Sequence, residues 1–187
     1  MKLLIALFSI IAPLDLDWST VNKEIPKIKE YRYLYGAVQY DPVIYYGNED
    51  IMGMESEIHL YFANRKISKA VLVLGPQGLN NTNCKQKFME YINAMKKKYG
   101  KFALIKETST SLEEDLFYTS ECKLFTNGIK KIQVFWKLRK FHINATLLGD
   151  DDGLYIETVY TNKNLAKIHK KETNKKVYKK ISKESKK

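Results

Sequence analysis

Apolar side chains recur at every second residue through two long stretches of this chain, and that period admits little besides strands with one buried face. In the first stretch Ile58, Leu60 and Phe62 share a side, Ala63-Asn64-Arg65-Lys66 turns the chain, and Ala70, Leu72 and Leu74 line the return. Gly75-Pro76-Gln77-Gly78 then stops the strand. In the second, Ile132, Val134, Trp136 and Leu138 alternate, followed by Phe141, Ile143, Ala145 and Leu147. Gly149-Asp150-Asp151-Asp152-Gly153 leads into Leu154 through Tyr160, and its Asp-Gly pair is a strong hairpin signal. The C-terminal stretch therefore predicts an antiparallel meander.

Between the two stretches lies a different period. Cys84, Phe88, Tyr91, Ile92, Met95 and Tyr99 recur at steps of three and four, with Lys85, Lys87, Glu90 and Lys96 to Lys98 on the opposite face. That spacing predicts an amphipathic helix over about 82–99. Asn81, Thr82 or Asn83 can cap its start, lysines in its last turn complement its dipole, and Gly100 suits its end. Elsewhere Tyr33 to Tyr46 reads as one or two strands interrupted at Asp41-Pro42. Phe102 to Lys106 reads as a strand, and about Thr119 to Phe125 as another, ended by Asn127-Gly128. Ser19 or Thr20 can cap a short N-terminal helix reaching about Tyr31, made brief or broken by Pro26. The order of helix, strands, helix, strands lacks the regular alternation of a parallel sheet. The expectation is a single α+β domain over 18–162, with a mostly antiparallel sheet of about six or seven strands, one main helix and the short N-terminal one.

The two ends carry separate signals. Behind Met1-Lys2 the run Leu3 to Ala12 is apolar, too short to span a bilayer as a helix yet long enough for the core of a secretory signal. Residues 1–17 thus read as a signal peptide and leader, although Pro13 stands where cleavage after Ala12 would have to occur. No other segment approaches transmembrane length, so the mature product reads as secreted or periplasmic. Cys84 and Cys122 fit one disulfide in an oxidising compartment. Two buried thiols are the alternative, and the place of Cys84 on the apolar helix face counts toward it.

Of the net charge of +11, residues 167–187 carry +8 and residues 1–166 the remaining +3. The folded part is therefore mildly basic overall, and the high pI describes mostly a helical or disordered tail over 163–187. Its Lys170, Lys171, Lys175, Lys176, Lys179, Lys180, Lys186 and Lys187 are the candidate contacts to an anionic surface. Lysine without arginine favours diffuse attraction over bidentate recognition.

Motifs that would specify chemistry are missing. The chain has no G-x-S-x-G elbow, Walker loop or dinucleotide fingerprint. The cysteine spacing matches no zinc motif, and His59, His142 and His169 are scattered, so neither metal nor cofactor is expected. Asp150 to Asp152 form a compact cluster without the spaced ligands of a calcium loop, and read as a turn. Glu113-Glu114-Asp115 reads as a solvated loop. His142, Asn144 and Thr146 should share a strand face opposite Phe141, Ile143 and Ala145, as on any solvated sheet face, and His59 sits similarly between Ile58 and Leu60. No catalytic residue is expected.

Trp18-Ser19-Thr20, the hairpin Leu60-Tyr61-Phe62-Ala63-Asn64-Arg65-Lys66-Ile67, the helix-ending Tyr99-Gly100 and the meander from Trp136 to Leu154-Tyr155-Ile156 and Tyr160 form a recurring arrangement. Through these residues the run from Trp18 to Tyr160 resembles a loose group of small exported bacterial proteins of unknown function. The resemblance implies export and α+β architecture, and transfers no catalytic residue and no ligand. The expected function is that of an exported, non-catalytic binding domain, its tail adhering weakly to anionic lipid or an envelope polymer. A basic nucleic-acid-binding protein is the alternative if the N-terminal run is core. An unrecognised hydrolase would require a cleft that joins acids or histidines distant in sequence.

Overall fold

Strand-forming residues dominate from Tyr31 onward, and the sheet they build has two like halves. The computed structural model describes residues 14, 16–19, 21, 24, 26–28, 31–37, 40–47, 52, 54–75, 79, 83–109, 121–150 and 153–168. Strands β1 (Tyr31–Ala37), β2 (Tyr40–Gly47), β3 (Ser56–Ala63) and β4 (Lys66–Leu74) form one antiparallel meander. A second comprises β5 (Leu104–Ser109), β6 (Lys130–Lys137), β7 (Phe141–Asp150) and β8 (Gly153–Asn162). Antiparallel pairing of β4 with β8 joins them into one sheet of order β1-β2-β3-β4-β8-β7-β6-β5.

The sheet has eight strands where six or seven were expected, because the aromatic stretch after Tyr31 folds into a complete hairpin. Its break falls after Ala37, and Pro42 lies inside β2. An interior strand tolerates a residue without an N–H only where the ladder is already irregular. That condition is met here: the register against β1 shifts on both sides of Tyr35, and Gly36 takes φ 109° beside Pro42. A side chain at Gly36 would collide with the Pro42 carbonyl.

Helix α1 (Cys84–Tyr99) fills the connection between the two meanders. Its Cys84, Phe88, Tyr91, Ile92 and Met95 are buried, as the spacing predicted. Each large apolar side chain so buried contributes roughly 1.5–3 kcal/mol. Opposite them, alternate residues of the central strands, among them Ile58, Leu60, Leu72, Ile143 and Ile156, are almost fully buried. Two polar contacts fix the helix over β8: the Tyr91 and Thr158 hydroxyls lie 2.8 Å apart, and the Tyr160 hydroxyl donates to Met95 Sδ at 3.8 Å. Burial raises both phenols above their usual range, so both stay neutral donors. At the helix end the Gly100 amide donates to the Lys96 carbonyl, and Trp136 Nε1 donates to the Gly100 carbonyl at 3.0 Å.

Two expectations need correcting. The segment before Asn127 is a helix, α2 (Glu121–Thr126), and not a strand. Cys122, Leu124 and Phe125 are all buried, which a two-residue period cannot achieve, and Thr126 Oγ1 donates back to the Cys122 carbonyl. The helix sits close on β7, so that a Cβ at Gly149 would stand 2.5 Å from Thr126 Cα. Nor is there a helix among the described residues of 16–28. There Trp18 packs edge-on against Phe141, with ring centroids 5.0 Å apart, and the Pro26 carbonyl accepts the Tyr45 hydroxyl at 2.6 Å. Contacts with the sheet hold this segment in place of the helix its capping residues suggested.

Cys84 and Cys122 are joined in a disulfide, with Cα atoms 5.9 Å apart and both residues buried. The bridge ties the first residue of α1 to the first turn of α2. A short helix, α3 (163–168), follows β8, its start capped by Asn162 Oδ1, which accepts from the Asn164 and Leu165 amides. Of the expected signal and leader, residues 1–13 and 15 lie outside the described residues, as do the tail beyond α3, Glu113-Glu114-Asp115 and Asp151-Asp152, whereas Leu16 of the leader is buried in the core. Closing a loop of 38 residues restricts the unfolded chain enough to stabilise by about 4 kcal/mol. Replacing both cysteines with serine is therefore expected to lower the urea midpoint by a corresponding amount, and an unchanged midpoint would show that the bridge does not constrain the chain.

Candidate anion-binding surface

Strand register decides which side chains stand together on the face of the sheet away from α1. Across β4, β8, β7 and β6 it aligns Lys69, Thr161, His142 and Lys137 in one row. The next row of this face holds Val71, Val159, Asn144 and Phe135, and the one after it Val73, Glu157, Thr146 and Gln133. His142, Asn144 and Thr146 thus share a face as expected, with Phe141, Ile143 and Ala145 buried on the other. His59 lies on the same face on β3, 2.9 Å from Glu57 Oε2.

Basic side chains gather at one end of these strands. At the end marked by the first row, three connections meet side by side. The β3–β4 turn brings Arg65 and Lys66, the β6–β7 turn brings Arg139 and Lys140, and α3 brings Lys163 and Lys167. Backbone contacts hold the last two elements together: the Lys163 amide donates to the Lys140 carbonyl at 3.1 Å, and Lys163 Nζ to the Leu138 carbonyl at 2.5 Å. Because Trp136 binds the Gly100 carbonyl, the last turn of α1 brings Lys96, Lys97 and Lys98 to this end, and Lys101 follows just after the helix. Strands β4, β8, β7 and β6 span roughly 15 Å across at ordinary sheet spacing. Among the described residues Asp17, beside Trp18, comes near this end in the fold, and its carboxylate accepts from the Ser19 amide and hydroxyl. At the other end Glu55, Glu57, Glu157 and Asp150 are interspersed with Arg32, Lys106, Lys130 and Lys131.

Titrating side chains register these charges. Desolvation, then the charges of Lys163 and Lys137, hold His142 below its ordinary pKa of 6.5. At the other end burial, the Asp150 charge and hydrogen bond, and the Glu157 charge push Tyr155 up to about 12. A hydrogen bond to Glu55, with burial and the charges of Glu55 and Glu57, raises Tyr46 against the opposing pull of Arg32. His142 thus feels the cations of the basic end, while Tyr155 and Tyr46 feel individual acids at an end of mixed charge.

At the β3–β4 turn Asn64 and Arg65 take φ 49° and 60°, the left-handed pair of a two-residue hairpin turn. Glycine is the favoured residue at the second position, and an arginine held there is strained by roughly 1–2 kcal/mol.

Of the residues singled out in the sequence, His142 adjoins this surface, and the tail lysines from Lys170 onward lie outside the described residues. The cations of the turns, Arg65, Lys66, Lys137, Arg139, Lys140 and Lys163, were missed. Their only trace in the sequence is that basic residues occupy two successive-strand turns, and the small net charge of residues 1–166 concealed it. Among the described residues no group of three or more His, Cys, Asp or Glu could hold a metal ion, and no helix is long and apolar enough to cross a membrane. Comparison with family models, curated proteins and solved structures gave no match.

Two measurements check this surface. Since the folded pKa of His142 is depressed, the unfolded chain protonates first as pH falls through 6.5, and stability declines until the folded imidazole protonates too. By NMR titration His142 is expected below 6.5, rising toward it in Lys137→Gln; an unmoved value would remove Lys137 from the field acting on it. In the middle row Asn144 Oδ1 is buried without a hydrogen-bond partner. Asn144→Val removes that orphaned acceptor from a strand centre, and is expected to stabilise by about 1 kcal/mol in chemical denaturation.

Proposed function

We propose that this chain is an exported, non-catalytic module that adheres to anionic surfaces through its lysine-rich C-terminal segment. One observation carries the reading: α3, from which that segment continues, leaves the fold at the end where the cations of three other elements collect. Lysines after residue 168 therefore begin beside a surface of their own sign, so both can meet one polyanion instead of competing for it. The apolar run behind Lys2 supports export, and a buried disulfide fits an oxidising compartment. The resemblance to small exported bacterial proteins points the same way.

Retention on a sulfated polysaccharide matrix tests the reading. The full chain is expected to elute late in a salt gradient. Replacing Lys170, Lys171, Lys175, Lys176, Lys179, Lys180, Lys186 and Lys187 with glutamine should move elution to markedly lower salt, because exposed charge contacts are screened within about 8–10 Å at physiological ionic strength. Equal elution of the two chains would overturn the tail as the adhesive element.

A further inference from the structure

We propose that the basic end of the folded domain is itself a docking face for an anionic lipid bilayer, set by the β3–β4 turn, the β6–β7 turn and α3. The inference rests on the adhesion reading above but assigns a separate surface, built from described residues before the tail.

Two observations favour a bilayer. The cations sit on turns and helix ends at the tips of strands, so they form a rim and not a groove. A rim can meet a plane of headgroups, whereas a duplex is read by elements that enter its grooves. Lysine predominates over arginine in this rim, which suits diffuse attraction to a charged plane better than bidentate contact with phosphates or bases. Lysines in the last turn of α1 also complement its dipole, but the turn cations serve no helix end.

A negative plane attracts the end bearing Lys137, Arg139, Lys140, Lys163 and Arg65, whereas acids and bases are mixed at the other end. Strands β4, β8 and β7 would then stand steeply on the surface, with Asp150 and Gly153 farthest from it.

Sedimentation of the full chain with phosphatidylcholine vesicles, with and without phosphatidylglycerol, tests the proposal. The difference between the two lipids removes any contribution from the apolar N-terminal run. Lys137, Arg139 and Lys140 are all exposed, so their joint replacement by glutamine should leave the fold intact. Each basic residue near an anionic surface contributes about fivefold in partition, so this variant is expected to lose roughly a hundredfold. Arg65→Gly relieves the turn and should raise the thermal midpoint while weakening partition about fivefold. Asp150→Asn is expected to leave partition unchanged or slightly stronger.

If the Lys137, Arg139 and Lys140 variant partitions like the parent while the tail-neutralised chain does not, the domain face is overturned and tail adhesion survives. Binding to duplex DNA without binding to anionic vesicles would overturn the proposal in favour of nucleic acid. If the parent binds neither vesicles nor the polysaccharide matrix, both readings fail together.

Discussion

The pairing of β4 with β8 is the contact on which the rest of the structure depends. Each meander is built from antiparallel neighbours, and α1 packs on β8, at the seam between them. Pairing Leu72 with Thr158 and Ala70 with Tyr160 brings the halves together. It also places β8 where Tyr91 and Met95 can reach its hydroxyls. Strand pairing, helix docking and satisfaction of buried polar groups are thus one event, and burial of unpartnered hydroxyls would be costly without it. The disulfide adds a second tie, from the start of α1 to α2, which in turn rests on β7 through the space left by Gly149.

The same pairing creates the charged end. Arg65 and Lys66 belong to the first meander, while Lys137, Arg139, Lys140 and Lys163 belong to the second. More than sixty positions separate the nearest of these in the chain, and the β4–β8 seam sets them at neighbouring strand tips. At the opposite tips acids and bases are mixed, so the mildly basic domain gathers its unbalanced cations at one end, where His142 feels Lys163 and Lys137.

Much of the fold was legible in local pattern, and the errors were local too. The hairpin around Asn64-Arg65, the helix ending at Tyr99-Gly100 and the meander from Ile132 to Tyr160 all follow from period and turn chemistry, because each buries one face against a single partner. Residues 121–126 misled because a short apolar run supports a strand or a helix equally. Contact with β7 and the bond to Cys84 decided between them. The segment from Trp18 carries good capping residues, yet Trp18 gains more from Phe141 than a brief, proline-limited helix could supply. Likewise Cys84 lies on the apolar face of its helix, but Cys122 reaches it from within the same buried layer.

By itself the sequence determined strand and helix periods, the positions of tight turns and the excess of lysine toward the C-terminus. These are properties of neighbouring residues, and neighbours suffice to express them. Only the tertiary structure decided which edges of the two meanders meet, that the cysteines are bridged, and that cations from distant turns share one end. Those outcomes depend on pairings between segments far apart in the chain, and composition averages such charges to a small sum where the fold sorts them in space.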